Sequence, residues 1–304
     1  MIKFNKKTLV IGFFIVFFVV AVFLDFTNRP QSSQNKIQVV AAENFWGSLV
    51  SQIGGDKISV KSIINNPKVD PHEYESNSND AKSVSYAKYV IYNGDGYDPW
   101  APQLISANNK PNQKVLDVAS FLGVKTGSNP HLWYNPAFVN KVVIKMEQDL
   151  ISIDPKDKAY YQSNLAKLQN NLKGYQNLIN QIALKYKGVK VAATEDVFSY
   201  LAQSAKLDLI SPSNFITSIA EGTDPSAQSI IQFENQISSH QVKILVYNKQ
   251  TVTPITIKMR ELAIQNHIPV IGITEIIEPA NQNFQNWMYD EINSILNVLN
   301  QNVK

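Results

Sequence analysis

The sequence predicts an α/β protein of two lobes with mainly parallel sheets, bridged by one long rigid α-helix. Short apolar runs alternate with stretches of helical period in both halves, the pattern of strand-helix-strand units. Between the halves, a stretch from Asp154-Pro155 to about Lys187 runs without interior proline and with one glycine, Gly174. At 304 residues the chain is also long enough for two lobes of roughly 100 to 150 residues each.

Residues 1–26 read as an export segment. The apolar run LVIGFFIVFFVVAVFL at 9–24 follows Lys3, Lys6 and Lys7 and precedes Asp25 and Arg29. It is slightly shorter than the about 17 to 25 residues of a spanning helix, and its flanks extend it toward that length. The basic flank stays inside and sends the remainder outward. Without a small-x-small site after the run, an uncleaved signal anchor is favoured over a cleaved signal peptide. Residues 27–35, rich in Asn, Gln and Ser, follow as a tether.

Residues 36–153 form the first lobe. Positions 37–41 predict a buried strand, and 44–53 a helix with Phe45, Trp46, Leu49, Val50 and Ile53 at helical spacing. Gly54-Gly55-Asp56 stops it. Strands are predicted at 58–64, at 89–92 before Asn93-Gly94-Asp95-Gly96, and at 115–118, with a helix at 80–87. A loop at 123–130 precedes a helix at 136–153 that starts on proline. The linking helix, 154–187, carries Leu165, Leu168, Leu172, Tyr175, Leu178 or Ile179, and Ile182 on one stripe, and measures roughly 50 Å at 1.5 Å per residue. A coiled-coil hairpin arm is the competing reading.

The second lobe, 188–304, repeats the alternation. Strand 189–193 ends at Thr194-Glu195, helix 196–204 follows, and strand 207–210 comes next. Asp224-Pro225 has the composition of a helix start, with a capping aspartate and a first-turn proline. Strand 244–247, helix 253–265 and strand 270–273 lead to Thr274-Glu275. A closing helix turns Phe284, Trp287, Met288, Ile292, Ile295 and Leu299 inward.

Composition removes several function classes. Without Lys3, Lys6 and Lys7 the basic and acidic residues balance at 25 each, so no basic patch calls for nucleic acid. The absence of cysteine excludes thiolate metal sites, iron-sulfur clusters, disulfides and thiol catalysis. Any metal is therefore held by imidazole and oxygen.

Two of the four histidines share one setting, Asp70-Pro71-His72 and Asn129-Pro130-His131. Proline fixes its own φ and keeps the preceding residue extended, so each imidazole sits on a pre-set turn, as a metal ligand requires. In open parallel sheets ligands bind beyond the carboxyl ends of the strands. Glu195 and Glu275 each lie two residues past a strand's apolar run, so both should face one crevice, although a helix N-terminal carboxylate is a rival reading for each. Glu278 is the alternative to Glu275. Asp70, Glu73 and Glu75 read as supporting or solvated groups. His240 and His267 fall at the opposite end of the sheet and read as surface residues.

With these residues in hand, the chain resembles the TroA-like metal-binding solute-binding proteins of ABC importers. The resemblance runs from about Lys36 to the C-terminus and rests on Asp-Pro-His-Glu-Tyr-Glu at 70–75, Pro-His-x-Trp at 130–133, the long linking helix, and Val-x-Ala-Thr-Glu at 191–195. It implies a non-enzymatic receptor outside the cytoplasm, a monomer tethered through its N-terminus, that passes one divalent transition metal to a membrane permease. It also implies four ligands, His72 and His131 from the first lobe and Glu195 and Glu275 from the second; many relatives have aspartate at the last. The family's lipid-bearing cysteine is missing, a role the apolar N-terminus could fill. The His-rich acidic loop of many zinc members is absent as well, and Glu195 stands where those members often have histidine, which favours manganese over zinc, with iron also compatible. Because bound imidazole must be deprotonated, affinity is expected to fall as pH drops through about 6.5. The rival functional readings are a mononuclear non-haem iron enzyme with two histidines and one carboxylate, and an extracellular adhesion scaffold.

Overall fold

Strands covered on both faces read as near-continuous apolar runs, as the central strands here do, and among the described residues eight strands build two four-stranded sheets. The structure, a computed structural model, describes residues 36–303 apart from Asp70 and Asn109, and of His72 the backbone alone. The N-terminal export segment and its tether therefore lie outside the described residues. Among the described residues no helix is long and apolar enough to cross a membrane.

The first sheet contains β1 (Ile37–Glu43), β2 (Ile58–Ile64), β3 (Tyr89–Tyr92) and β4 (Lys114–Asp117), in the order β2-β1-β3-β4. Every pairing is parallel, with Val39 facing Val60 on one side and Tyr89 on the other. Helices α1 (Asn44–Gly54), α2 (Ser78–Tyr86) and α3 (Trp100–Asn108) connect the strands, α4 (Val118–Leu122) follows β4, and α5 (Pro136–Ile153) closes the lobe. The Asn135 side chain caps α5 by accepting from the Ala137 and Phe138 amides, with Pro136 in the first turn.

The linking helix α6 spans Lys158–Lys185, 28 residues after a 3-10 turn at Pro155–Asp157, or about 42 Å of rise. Tyr161, Leu168, Leu172, Tyr175, Ile179 and Ile182 form its buried stripe, which packs on α1, α5 and the C-terminal helix. This stripe is spent on the protein's own core, not on a projecting arm.

The second sheet repeats the first topology as β6-β5-β7-β8, again all parallel, from β5 (Lys190–Ala193), β6 (Asp208–Leu209), β7 (Leu245–Asn248) and β8 (Val270–Ile273). Its helices are α7 (Ser199–Ser204), α8 (Ser213–Ala220), α9 (Ala227–Ser238), α10 (Pro254–Gln265) and α11 (Phe284–Asn302). Three expectations change. The α9 helix starts after Ser226, whose hydroxyl accepts from the Ser229 amide, so Asp224-Pro225 stays in the preceding loop. Val118 begins a helix instead of ending a strand, because the Asp117 carboxylate caps the Ser120 amide. The run 207–210 yields only a two-residue edge strand.

One apolar core runs from β1 through α6 to α11. Near its centre Phe45 stacks on Trp133 at 4.0 Å between ring centroids, and both are fully buried. Phe45→Ala is expected to cost about 3–5 kcal/mol in denaturant unfolding; a loss under about 1 kcal/mol would mean that the core refills the space freely.

Candidate metal centre

His131, Glu195 and Glu275 are brought together, each offering one ligand atom, with these atoms within 4.8 Å of one another and all three side chains buried. His131 Nε2 lies 3.5 Å from Glu195 Oε1 and 3.6 Å from Glu275 Oε2. The fourth sequence candidate, His72, sits on the 3-10 turn Pro71–Glu73 beyond β2, and its side chain lies outside the described residues. Glu278 does not join the cluster: it is exposed and paired with Lys249 at 2.9 Å. Glu73 and Glu75 are exposed. His240 and His267 are also exposed, each in left-handed backbone just past a helix end.

The asparagine of the second Pro-His turn has a physical role. Asn129 Oδ1 accepts from the His131 backbone N–H at 2.8 Å, an Asx turn, and faces His131 Nδ1 at 2.8 Å. Asp196 Oδ1 faces the same Nδ1 at 3.0 Å. With Nδ1 engaged on that side, Nε2 is aimed at the two glutamates, the arrangement that orients ligating histidines. Asn129 Nδ2 also donates to the Asp196 carbonyl at 2.7 Å, tying the turn to the chain beside Glu195.

Glu195 and Glu275 arrive from the ends of β5 and β8, as the crevice rule anticipates. The strand order reverses between β5 and β7, and Asn248, the last residue of β7, sits at that switch point. Its Nδ2 donates to Glu195 Oε2 at 2.7 Å and to Glu275 Oε1. Tyr97 donates its hydroxyl to Glu275 Oε2 at 2.8 Å, and burial together with the Glu275 charge pushes its phenol well up, so it remains a donor. Tyr97 and Trp133 pack around His131 at 5.8 and 5.3 Å between centroids, giving the cluster an apolar wall.

The electrostatics suit a cation. Burial alone lowers the His131 pKa, but the carboxylates of Asp196 and Glu275 outweigh it and lift the imidazole to about 10. The same surrounding carboxylates that favour the protonated imidazole favour positive charge in this cluster generally. A cleft of about 650 Å³ opens beside Asp196; Glu73, Asp95 and Glu221 also line it, and among the described residues no basic side chain does. Such a lining favours the approach of cations over anions.

Gln250 locks the loops around the cluster. Its Oε1 accepts from the Glu275 and Ile276 amides at 2.6 and 2.9 Å, and its Nε2 donates at 2.6 Å to the carbonyl of Pro67, in the loop that leads to His72. Asn44 bonds both backbone groups of Ile277, a second link between the halves. Gln250→Ala is expected to weaken metal binding about 10- to 100-fold with the fold retained, the usual effect of losing a group that holds ligands in place. Unchanged affinity in chelator competition would remove Gln250 from that role.

The supporting residues Asn248, Gln250, Tyr97 and Asp196 were missed in the sequence. Only the strand-order rule, which needs topology, would have pointed to Asn248.

The chain is similar to known proteins over most of its length. The sequence profile of the family described as ZnuA, zinc-uptake complex component A, periplasmic, matches residues 39–298. The iron ABC transporter substrate-binding lipoprotein MtsA of Streptococcus pyogenes serotype M6 is 30% identical over 251 residues, 75% of this chain and 77% of that protein. The manganese ABC transporter substrate-binding lipoprotein PsaA of Streptococcus pneumoniae is 30% identical over 225 residues, 66% of this chain and 69% of that one. Among solved structures, the periplasmic zinc-binding protein TroA from Treponema pallidum has the same fold, with a TM-score of 0.74 at 16% identity, covering 87% of this chain and 99% of that one.

Proposed function

Because the chain belongs to the ZnuA family, and is thus the substrate-binding component of a metal ABC importer and not an enzyme, we propose that it captures one divalent transition metal between its two lobes through His131, Glu195, Glu275 and His72. The observation that carries this reading is the buried convergence of His131 with two carboxylates drawn from different strand ends. Two neutral imidazoles and two carboxylates cancel the charge of a divalent cation, and the mixture suits manganese, zinc or iron. The His72 assignment is supported by Gln250, which holds the loop leading to that turn and the Glu275 backbone at once.

Manganese is the favoured cargo, with zinc next and iron compatible. The absence of a histidine between Trp100 and Asn129, and a glutamate at 195, support that order. Intrinsic affinity runs the other way, since zinc outcompetes manganese at most nitrogen and oxygen sites, so cargo identity depends on geometry and supply. The metal passes from this receptor to a membrane permease on the outer side of the membrane. In this reading residues 36–153 and 188–304 act as the two jaws, 154–187 as the bridge, and the apolar N-terminus as the tether of a monomer.

Elemental analysis of protein purified without added metal tests the reading. One tightly held divalent transition metal per chain is expected, and it should be absent from Glu195→Ala. Metal retained equally by that variant would move the binding site elsewhere.

A further inference from the structure

Asn248 stands out because it touches both acidic members of the cluster through one group. It is buried, and its orientation is fixed: Oδ1 accepts from the Gln250 backbone N–H at 2.9 Å, so Nδ2 must face the glutamates. Turning the amide over would set its oxygen against two carboxylates and its Nδ2 against an N–H. Three acceptors surround Nδ2, namely Glu195 Oε2 at 2.7 Å, Thr251 Oγ1 at 3.0 Å and Glu275 Oε1. With two N–H bonds to give, the ionised acceptors take precedence over the hydroxyl.

The pattern divides each carboxylate in the same way. Glu195 turns Oε2 to Asn248 and Oε1 to His131 Nε2; Glu275 turns Oε1 to Asn248 and Oε2 to His131 Nε2. Each glutamate thus turns one oxygen toward the side a cation would occupy and the other to the amide, with Glu275 Oε2 also accepting from the Tyr97 hydroxyl at 2.8 Å through its second lone pair. We infer that Asn248 is a specificity-determining residue, which holds both carboxylates to single-oxygen coordination and so sets the balance between zinc and manganese. The inference rests on reading His131, Glu195 and Glu275 as cation ligands.

The physical consequence follows from coordination number. Zinc is satisfied by four ligands in tetrahedral array, whereas manganese belongs with the ions that favour six oxygen-rich positions. A site whose carboxylates are limited to one oxygen each supplies few donors and handicaps manganese in intrinsic affinity, in the same direction as the general preference for zinc, so that manganese as cargo rests on supply and not on this feature of the geometry. Freeing the two committed oxygens would allow either glutamate to chelate. Asn248 therefore acts on the ratio of the two affinities, beyond any general support of the site.

Asn248→Leu, close in size and unable to donate, tests this in the full chain with zinc and manganese as probes. The ratio Kd(Mn)/Kd(Zn) is expected to fall at least about tenfold, the effect of releasing one charge-assisted hydrogen bond, while Thr251→Val leaves it unchanged. Both affinities falling together at a constant ratio would overturn the inference and leave Asn248 a structural support. Infrared spectroscopy of the unmutated protein gives a test that does not depend on the variant folding. The splitting of the carboxylate stretches should report single-oxygen binding with zinc, and two-oxygen binding of Glu195 and Glu275 would equally overturn the inference. If the unmutated protein binds neither metal, or if Glu195→Ala keeps its affinity, the failure lies with the ligand assignment and not with Asn248.

Discussion

His131→Ala is expected to weaken divalent-metal binding by more than about a hundredfold while leaving the protein folded. Losing a group that merely orients a ligand already costs about 10- to 100-fold, and His131 Nε2 is the atom on which both glutamates converge. The variant also leaves two carboxylates facing each other in a buried site without the imidazolium that faces both, so one of them should take up a proton to relieve the repulsion. A metal would then have to displace that proton as well as bind with one ligand fewer. Competition against a calibrated chelator measures the loss, and far-UV circular dichroism checks the fold. His267→Ala, which changes an exposed histidine, should leave affinity unaltered. A His131→Ala protein within threefold of the original affinity would exclude His131 as a ligand.

The second large effect is on pH. In isolation a histidine ligand makes affinity fall only below about pH 6.5. Here burial lowers the His131 pKa, but the stronger pull of Asp196 and Glu275 brings it to about 10 in the metal-free protein. Below that value every bound metal must expel a proton, so affinity should climb about tenfold per pH unit through neutrality, or about a hundredfold from pH 5.5 to 7.5, with no plateau at 7. The same shift has a stability counterpart of fixed sign. A pKa raised above its unfolded value stabilises the native state fully below about 6.5, and this contribution is lost as pH rises through about 10. Metal-free protein should therefore lose melting temperature over that interval more steeply than His131→Ala does. Affinity that levels off above pH 7 would show that the carboxylates do not hold the imidazolium as described.

Much of this molecule can be read from the chain because its strands are buried and short. Residues 58–64, 89–92 and 270–273 were expected as strands at the bounds the structure shows, and 136–153 as a helix, since Asn135-Pro136 marks its start. The sequence pattern marks no helix at α3, α4 or α8, spans of nine, five and eight residues that sample few helical turns, although it does mark the equally short α2 and α7. Asp224-Pro225 misled for a different reason, because a helix-start composition does not say which of several adjacent cap formers is used. Of the site, three candidates were legible from turn chemistry and strand ends. Asn248 and Gln250 were not, because an amide in a loop carries no periodic signal, and its value depends on which strands become neighbours. The pH window differed as well, since the charges around His131 come from Asp196 and Glu275, which only the fold brings near.

The central claim, that residues from both halves converge on one cation, is tested most directly by anomalous diffraction from crystals of manganese- or zinc-loaded protein. A single strong peak is expected next to His131 Nε2 and one oxygen from each of Glu195 and Glu275, at about 2.0–2.2 Å in the zinc-loaded crystals, and in the same place with manganese. A peak confined to the acidic cleft beside Asp95 and Glu221, or one touching a single lobe, would contradict it.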